Sequence, residues 1–272
     1  MNFVPSSPNR FGHAFLIPLL GALTASFSAS SLSAEQITLK LPGSLTQAVD
    51  PDLFVDLKLV NTTTNAVLLD DKNQITGRIN WTIQSNNNYK GSLGAVGSPL
   101  STYCIDITHN VSTGNAYTYN IDPALGADTQ VIQGGLTQSQ VDHLSELYGK
   151  YYSDAGTSNL KAAAFQLAVW DIVYNDALIQ NDGTISGTAA FTFSYNSNDT
   201  GFSTANGNAL PGQITTYLKD LGSDPKADLR VLDSTSGNQN QLVLAAPEPS
   251  SLVLAGIGAA GLVGLARRRW RR

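Results

Sequence analysis

The hydrophobic period changes once along this chain, and that change limits the folds open to it. Up to residue 121 apolar side chains alternate in period two, over Gln36 to Leu41, Leu53 to Val60, Ala66 to Asp70, Arg78 to Gln84 and Thr102 to Thr108, which reads as short strands. Asn61 to Asn65, Asp70 to Asn73 and Ser85 to Asn88 supply turns between them. Cys104 falls in mid-strand, and Ala116 to Ile121, beyond the turn at Asn110 to Asn115, reads as the hairpin partner of its strand. From residue 137 the period is helical. Thr137 followed by Gln140 is a capping-box signature, and Val141, Leu144, Leu147, Tyr148 and Tyr151 line one side of the helix that follows. A second helix starts at Thr157 or Ser158 and runs to about Tyr174. Beyond it come a strand from Ala189 to Tyr195, a short helix with Pro211 at its start and Ile214, Tyr217, Leu218 and Leu221 along one face, and strands at Leu229 to Leu232 and Gln241 to Leu244. Strands followed by a helical segment imply an α+β domain: a β-sandwich or barrel with a small helical layer. Residues 35–74 read as an extra edge hairpin or as part of the same sheet, and no internal repeat is evident.

The two ends of the chain are addresses rather than parts of that domain. At the N-terminus Arg10 precedes an apolar run from Ala14 to Leu23, and small residues lead through Ser28-Ala29-Ser30 to Leu32-Ser33-Ala34, the layout of a secretory signal peptide over residues 1–34. Cleavage is expected after Ala34, with Ser30 as the second site. At the other end Pro247-Glu248-Pro249 is followed by an apolar run from Leu252 to Ala266, and then by Arg267, Arg268, Arg269, Trp270, Arg271 and Arg272. A helix over residues 250–266 would be roughly 25 Å long, which barely crosses a hydrocarbon core of about 30 Å and suits a temporary anchor. The arginines should hold that end in the cytoplasm and leave everything before Pro247 on the far face. Residues 247–272 closely resemble the PEP-CTERM sorting signal of Gram-negative bacteria that make exopolysaccharide. The resemblance implies an exosortase-type processing enzyme as a partner. It also implies an exported protein held at the inner membrane by the C-terminal helix, and then found at the cell surface or in the extracellular matrix after processing.

Between these signals lie residues 35–246, enough for one large domain or two small ones. Of the 16 basic and 21 acidic residues, the signals hold Arg10 and the five terminal arginines against Glu248 alone, so 10 basic and 20 acidic residues remain. That balance argues against nucleic acid as a partner. Cys104 is the only cysteine, so no intramolecular disulfide can form in an exported protein that would ordinarily pair its thiols. Such a thiol is buried, paired with another molecule, or chemically employed.

Gln166 raises the matching question. It is the only polar residue between Ala162 and Trp170, on a helix apolar all round and therefore buried. An unpartnered amide there would cost about 1–3 kcal/mol. One answer is a buried hydrogen bond to a backbone group. Another comes from the pair of motifs. Tyr103-Cys104-Ile105-Asp106 on a strand, followed 62 residues later by Phe165-Gln166-Leu167-Ala168-Val169-Trp170 on a helix, resembles the thioester domains of bacterial surface adhesins, also called TQXA domains. The resemblance covers about residues 75–235. It implies that Cys104 and Gln166 are joined as an internal thioester, with Ala168 and Trp170 on the Ala and Trp of the Gln-x-Ala-Ile-Trp pattern. Val169 replaces its isoleucine, and Phe165 stands where the threonine of TQXA would be. In that chemistry a thiolate attacks the Gln166 carbonyl, ammonia leaves, and a dry pocket protects the acyl group until an amine or hydroxyl on a surface or matrix target takes it. Tyr103, Phe165 and Trp170 can exclude water as pocket support, or serve as ordinary core.

The remaining motifs are weaker. Cys104 with His109 or His143 suggests a protease-like pair, but no cysteine-protease signature surrounds them, and His143 reads as a solvated helix residue. Gly256-x-Gly258-x-x-Gly261 lies in the apolar tail with no strand before it, so it is no dinucleotide fingerprint. Asp70-Asp71 and the loops at Asn181 to Gly183 and Asn196 to Asp199 lack the ordered spacing of a calcium site. The expectation is a protein with no cofactor, no metal and no catalytic turnover, which attaches covalently to its target. The competing reading is a non-covalent structural or carbohydrate-binding component of an exopolysaccharide matrix.

Overall fold

The computed structural model describes residues 35–44, 53–61, 64–87, 93–127, 135–175, 178–179, 185–186, 191–196, 204–219, 221–222 and 225–245. The signal peptide, the Pro247-Glu248-Pro249 triplet, the apolar run, the basic tail and the loop at 181–183 lie outside them. Among the described residues no helix is long and apolar enough to cross a membrane.

The strands are β1 (Gln36–Lys40), β2 (Leu53–Asn61), β3 (Val67–Thr76), β4 (Ile79–Asn87), β5 (Pro99–Cys104) and β6 (Ala116–Pro123), followed later by β7 (Leu178–Ile179), β8 (Ile185–Ser186), β9 (Phe191–Asn196), β10 (Leu229–Ser234) and β11 (Gln241–Leu244). The helices are α1 (Gln138–Ala155), α2 (Asn159–Asn175) and α3 (Thr204–Leu218). Six strands close a barrel in the order β1-β4-β5-β11-β10-β6, a second sheet runs β3-β2-β9, and β7 pairs with β8. The fold is α+β, with a closed antiparallel barrel rather than an open sandwich.

Period-two patterning explains the barrel. On β1 Ile37 and Leu39 are wholly buried while Gln36 and Thr38 face outward, where they bond Asn120 and Thr118 of β6. Trp81, Ile83 and Tyr119 join them in the interior. The Trp81 indole N–H is not stranded there, because it donates to Thr102 Oγ1 at 2.8 Å.

The helical layer follows the 3.6 period. Thr137 and Gln140 form the capping box in full at the start of α1. The next helix, α2, is buried from Ala162 to Trp170 because it has neighbours on every side: α1, α3, β5 of the barrel, and β9 of the second sheet. Gly149 of α1 lies so close to the Pro225 carbonyl oxygen that a Cβ there would collide with it.

Three local expectations are corrected. β6 does not pair with β5: its neighbours are β1 and β10, and β5 lies between β4 and β11. The chain between them is a long crossing loop, tied down where Gly114 N–H donates to the carbonyls of Leu41 and Pro42. Cys104 is the last residue of its strand rather than its middle, because Asp106 Oδ1 accepts from both the N–H and the hydroxyl of Thr108 and turns the chain aside. Pro211 lies inside α3, not at its start. The buried stripe of Leu210, Ile214, Tyr217 and Leu218 extends the helix across the proline, so packing overrides the missing N–H.

Asp171 gives α2 a pH response. Burial pushes its carboxyl up to about 6, against a smaller opposite effect from its hydrogen bond with Asn175. A carboxyl that binds its proton more tightly when folded contributes stability that is complete below about pH 4 and is lost as the pH rises through about 6. Asp171→Asn removes that loss. Urea unfolding should find the variant about 1–2 kcal/mol more stable than wild type at pH 8 and no different at pH 4. Equal stabilities at pH 8 would refute this.

Candidate functional site

Cys104 and Gln166, 62 residues apart in sequence, meet in the interior. The pairing of β4 with β5 stops at Ile79 opposite Thr102, and on the other side Cys104 lies opposite Gln241 of β11, with the next bond running from Ile105 N–H to the Asn240 carbonyl. The N–H and C=O of Cys104 therefore point toward the vacated β4 side. Gln166 fills that place from α2. Its Oε1 accepts the Cys104 N–H at 2.8 Å and its Nε2 donates to the Cys104 carbonyl at 2.7 Å. The carboxamide continues the sheet for one residue, and both groups are about 1–2 % exposed.

A second tie lies eight residues along the same helix. Tyr174 OH donates to the Ile105 carbonyl at 2.8 Å and accepts from Ile107 N–H at 3.3 Å. Residues eight apart share a helix face, so α2 grips the end of β5 at two points.

The helical period also sorts the supporting residues. Trp170, four residues after Gln166, is about 40° away round the helix and faces the Cys104 sulfur, whereas Ala168 is about 200° away and packs elsewhere in the core. Phe165 turns to the aromatic cluster, with ring centroids 4.6 Å from Tyr103, 5.0 Å from Tyr148 and 5.8 Å from Tyr217. Tyr103, next to Cys104 on β5, points to the opposite face of its strand and into that cluster. The rings therefore wall the side of the helix next to the carboxamide.

The thiol is buried beside Thr102, its neighbour on the inner face of β5. Cys104 Sγ donates to the Asp106 main-chain oxygen at 2.7 Å. Burial pushes the thiol well above its ordinary pKa, and the nearby Asp106 carboxylate adds to this, while the Asp106 backbone and then the neighbouring Trp170 and Gln239 side chains work the other way.

The protease-like pairing does not form through His109. Its Nδ1 is engaged by Asp106 Oδ2 at 2.8 Å, and the thiol is directed to the Asp106 backbone instead. His143 is half-buried on α1. Among the described residues no cluster of His, Cys, Asp and Glu could hold a metal ion. Asp70 pairs with Lys58 across two strands at 3.6 Å.

Sequence reasoning missed Asp106, Tyr174, Gln239 and Gln241. Tyr174 had a signal in its spacing from Gln166. Gln239-Asn240-Gln241 had one too, as a polar run at the mouth of an apolar strand, with Asn240 and Gln241 wholly buried.

Comparison with known proteins adds an address. Residues 245–272 match the PEP-CTERM protein-sorting motif. The motif marks the chain for export and membrane-anchored sorting to the cell surface, and it implies recognition by an exosortase-type processing enzyme. No curated protein matches the chain in sequence. Among solved structures, the chain is similar to the N-terminal domain of the Streptococcus pyogenes pilus tip adhesin Cpa, at 14% identity over 76% of this chain and 99% of that one, with a TM-score of 0.35. A likeness of that size carries no functional argument.

Proposed function

We propose that this is a surface protein that attaches covalently to its target through an internal thioester between Cys104 and Gln166. The observation that carries the reading is the meeting of the chain's only cysteine with the only polar side chain of a buried helix segment, in a dry, ring-walled interior. In forming the bond, Sγ adds to the Gln166 carboxamide carbon, the C–N bond breaks, and ammonia leaves with the thiol proton. The anchored form then waits in a pocket closed to water. An amine or hydroxyl on a cell-surface or matrix component takes the acyl group, forming an amide or ester at Gln166 and returning Cys104 to the thiol. The sorting motif supports this by placing the chain at the surface.

The competing reading draws on the same hydrogen bonds. As a free amide Gln166 is paired at both ends with Cys104 main chain, so its burial has a purely structural explanation. The protein would then be a non-covalent binding or matrix component.

Intact mass of the purified full-length protein separates the two. The covalent reading expects a mass about 17 Da, one ammonia, below the sequence, absent in Cys104→Ala and replaced by a gain on methylamine treatment. Opening the bridge should also lower thermal stability, since a cross-link over 62 residues restricts the unfolded chain by about 4 kcal/mol in the chain-entropy picture. A mass equal to the plain sequence, with Cys104 alkylating only after denaturation, would refute the covalent reading.

A further inference from the structure

The barrel has two rims, and antiparallel pairing all the way round sorts the strand ends between them. One rim carries Lys40, Ile79, Cys104, Ala116, Ser234 and Gln241, so it is the rim where Cys104 meets Gln166. The other carries Gln36, Asn87, Pro99, Pro123, Leu229 and Leu244. Leu244 ends β11, and the bond from Ala245 N–H to the Asp228 carbonyl holds the outgoing chain on that second rim. The sorting motif begins there, at residue 245. The tail therefore leaves the domain from the end opposite Cys104.

The second rim also presents two apolar tips. Among the described residues the exposed large hydrophobic side chains are Val67, Val96 and Leu125. Val67 starts β3 in the other sheet, whereas Val96 and Leu125, 65 % and 54 % exposed, sit on the loops that lead into β5 and out of β6. Each is held on a closed turn: Ser98 N–H bonds the Ala95 carbonyl around Val96, and Ala127 N–H bonds the Ala124 carbonyl around Leu125. Leu93 on the first loop and Ala124 and Ala127 on the second are buried. The turns thus seat those residues in the core and leave Val96 and Leu125 outside it.

Distance selects what can cover the tips. Six residues, 246–251, separate Ala245 from the apolar run that begins at Leu252. Fully extended, six residues span at most about 20 Å. A rim tied that closely to a membrane anchor meets the bilayer surface repeatedly, and the tether raises the local concentration of lipid above what two side chains could exploit free in solution. We propose that this rim, through Val96 and Leu125, rests on the phospholipid surface in which the chain's own C-terminal run is embedded. Both side chains enter the interfacial layer, as the apolar residues of peripheral segments do. The contact does not need the thioester. Where the thioester forms, the contact turns the Cys104 and Gln166 rim away from the membrane, toward incoming acceptors.

Nitroxide labels on the full-length protein test the contact. Val96→Cys, Leu125→Cys and, on the opposite rim, the exposed Ala116→Cys are each combined with Cys104→Ala, labelled, and reconstituted into vesicles of phosphatidylethanolamine and phosphatidylglycerol. Collisions of each label with oxygen, which dissolves in lipid, and with a water-soluble nickel chelate are then measured. Labels at 96 and 125 should meet oxygen freely but the chelate about fivefold less often than the label at 116, the pattern of a group immersed at the acyl boundary. Leu125→Asp beside the label at 96 should lift the rim and restore most of the lost chelate collisions. If it does not, the label has inserted by itself and the assignment falls. Chelate collisions at 96 and 125 within about twofold of those at 116 would place the rim in water and overturn it. Low collisions with both oxygen and chelate would mean that protein covers the tips, as a second copy of the chain would, and would overturn it equally. Because Cys104 is absent from every labelled protein, each outcome is independent of whether the thioester forms.

Discussion

With Gln166 as the free amide, its replacement by leucine is expected to lower the unfolding temperature by about 5–15 °C, the result of leaving two buried backbone groups without partners at roughly 1–3 kcal/mol each. The groups are the N–H and C=O of Cys104, which the carboxamide now satisfies at 2.8 and 2.7 Å. No strand can replace it, because β4 has ended at Ile79 and β11 is already on the other side. Leucine recovers some apolar contact, which is why the lower half of the range is the firmer expectation. Calorimetric scans of wild type and variant give the measurement, and a shift under about 2 °C would mean that the pairing contributes little. Gln166→Glu refines the test. A carboxylate can accept from the Cys104 N–H, but its second oxygen faces a carbonyl, so only the protonated acid restores both bonds. That raises the folded pKa of the new side chain, and the stability it retains at low pH is lost as the pH rises through that value.

The parts of this fold that were legible in sequence are those set by nearest neighbours. Alternation marked β1 and the inward Ile37 and Leu39, and the Thr137–Gln140 box marked the start of α1, because both signals are complete within a few residues. The apolar surround of Gln166 announced that α2 is buried. What failed was long-range. A hairpin between β5 and β6 is the shortest closure available to two adjacent strands, yet the barrel places β6 between β1 and β10, an arrangement decided by how six strands close together. The same holds for the end of β5. Nothing in alternating residues says where the ladder stops, and an Asx turn at Asp106 decides it. Gln239 and Gln241 were missed for a related reason: their polar run is visible, but it reaches the end of β5 only because β11, more than a hundred residues on, is the strand beside β5. That Gln166 is buried was readable, while its hydrogen bonds to the Cys104 main chain and the polar groups around the end of β5 were not.

Phe165→Thr, which restores the residue of the TQXA pattern, is expected to destabilise this protein by about 3–4 kcal/mol rather than improve it. Phe165 is wholly buried, and its ring meets Tyr103, Tyr148, Tyr152 and Tyr217 at centroid separations from 4.6 to 6.3 Å. Those tyrosines come from β5, α1 and α3, so the ring is the point where three elements close over α2. Threonine would leave a void there and put a hydroxyl into it. The position therefore answers to this chain's own aromatic cluster, not to the pattern it departs from. Under the covalent reading the void has a second effect. It lies one residue from Gln166, and water admitted there would hydrolyse the acyl group, which intact mass records as a rise of about 18 Da with time. The variant should show that rise faster than wild type. A large stability loss with unchanged hydrolysis would mean that the rings serve packing alone, and that dryness at Gln166 comes from the barrel side of β5.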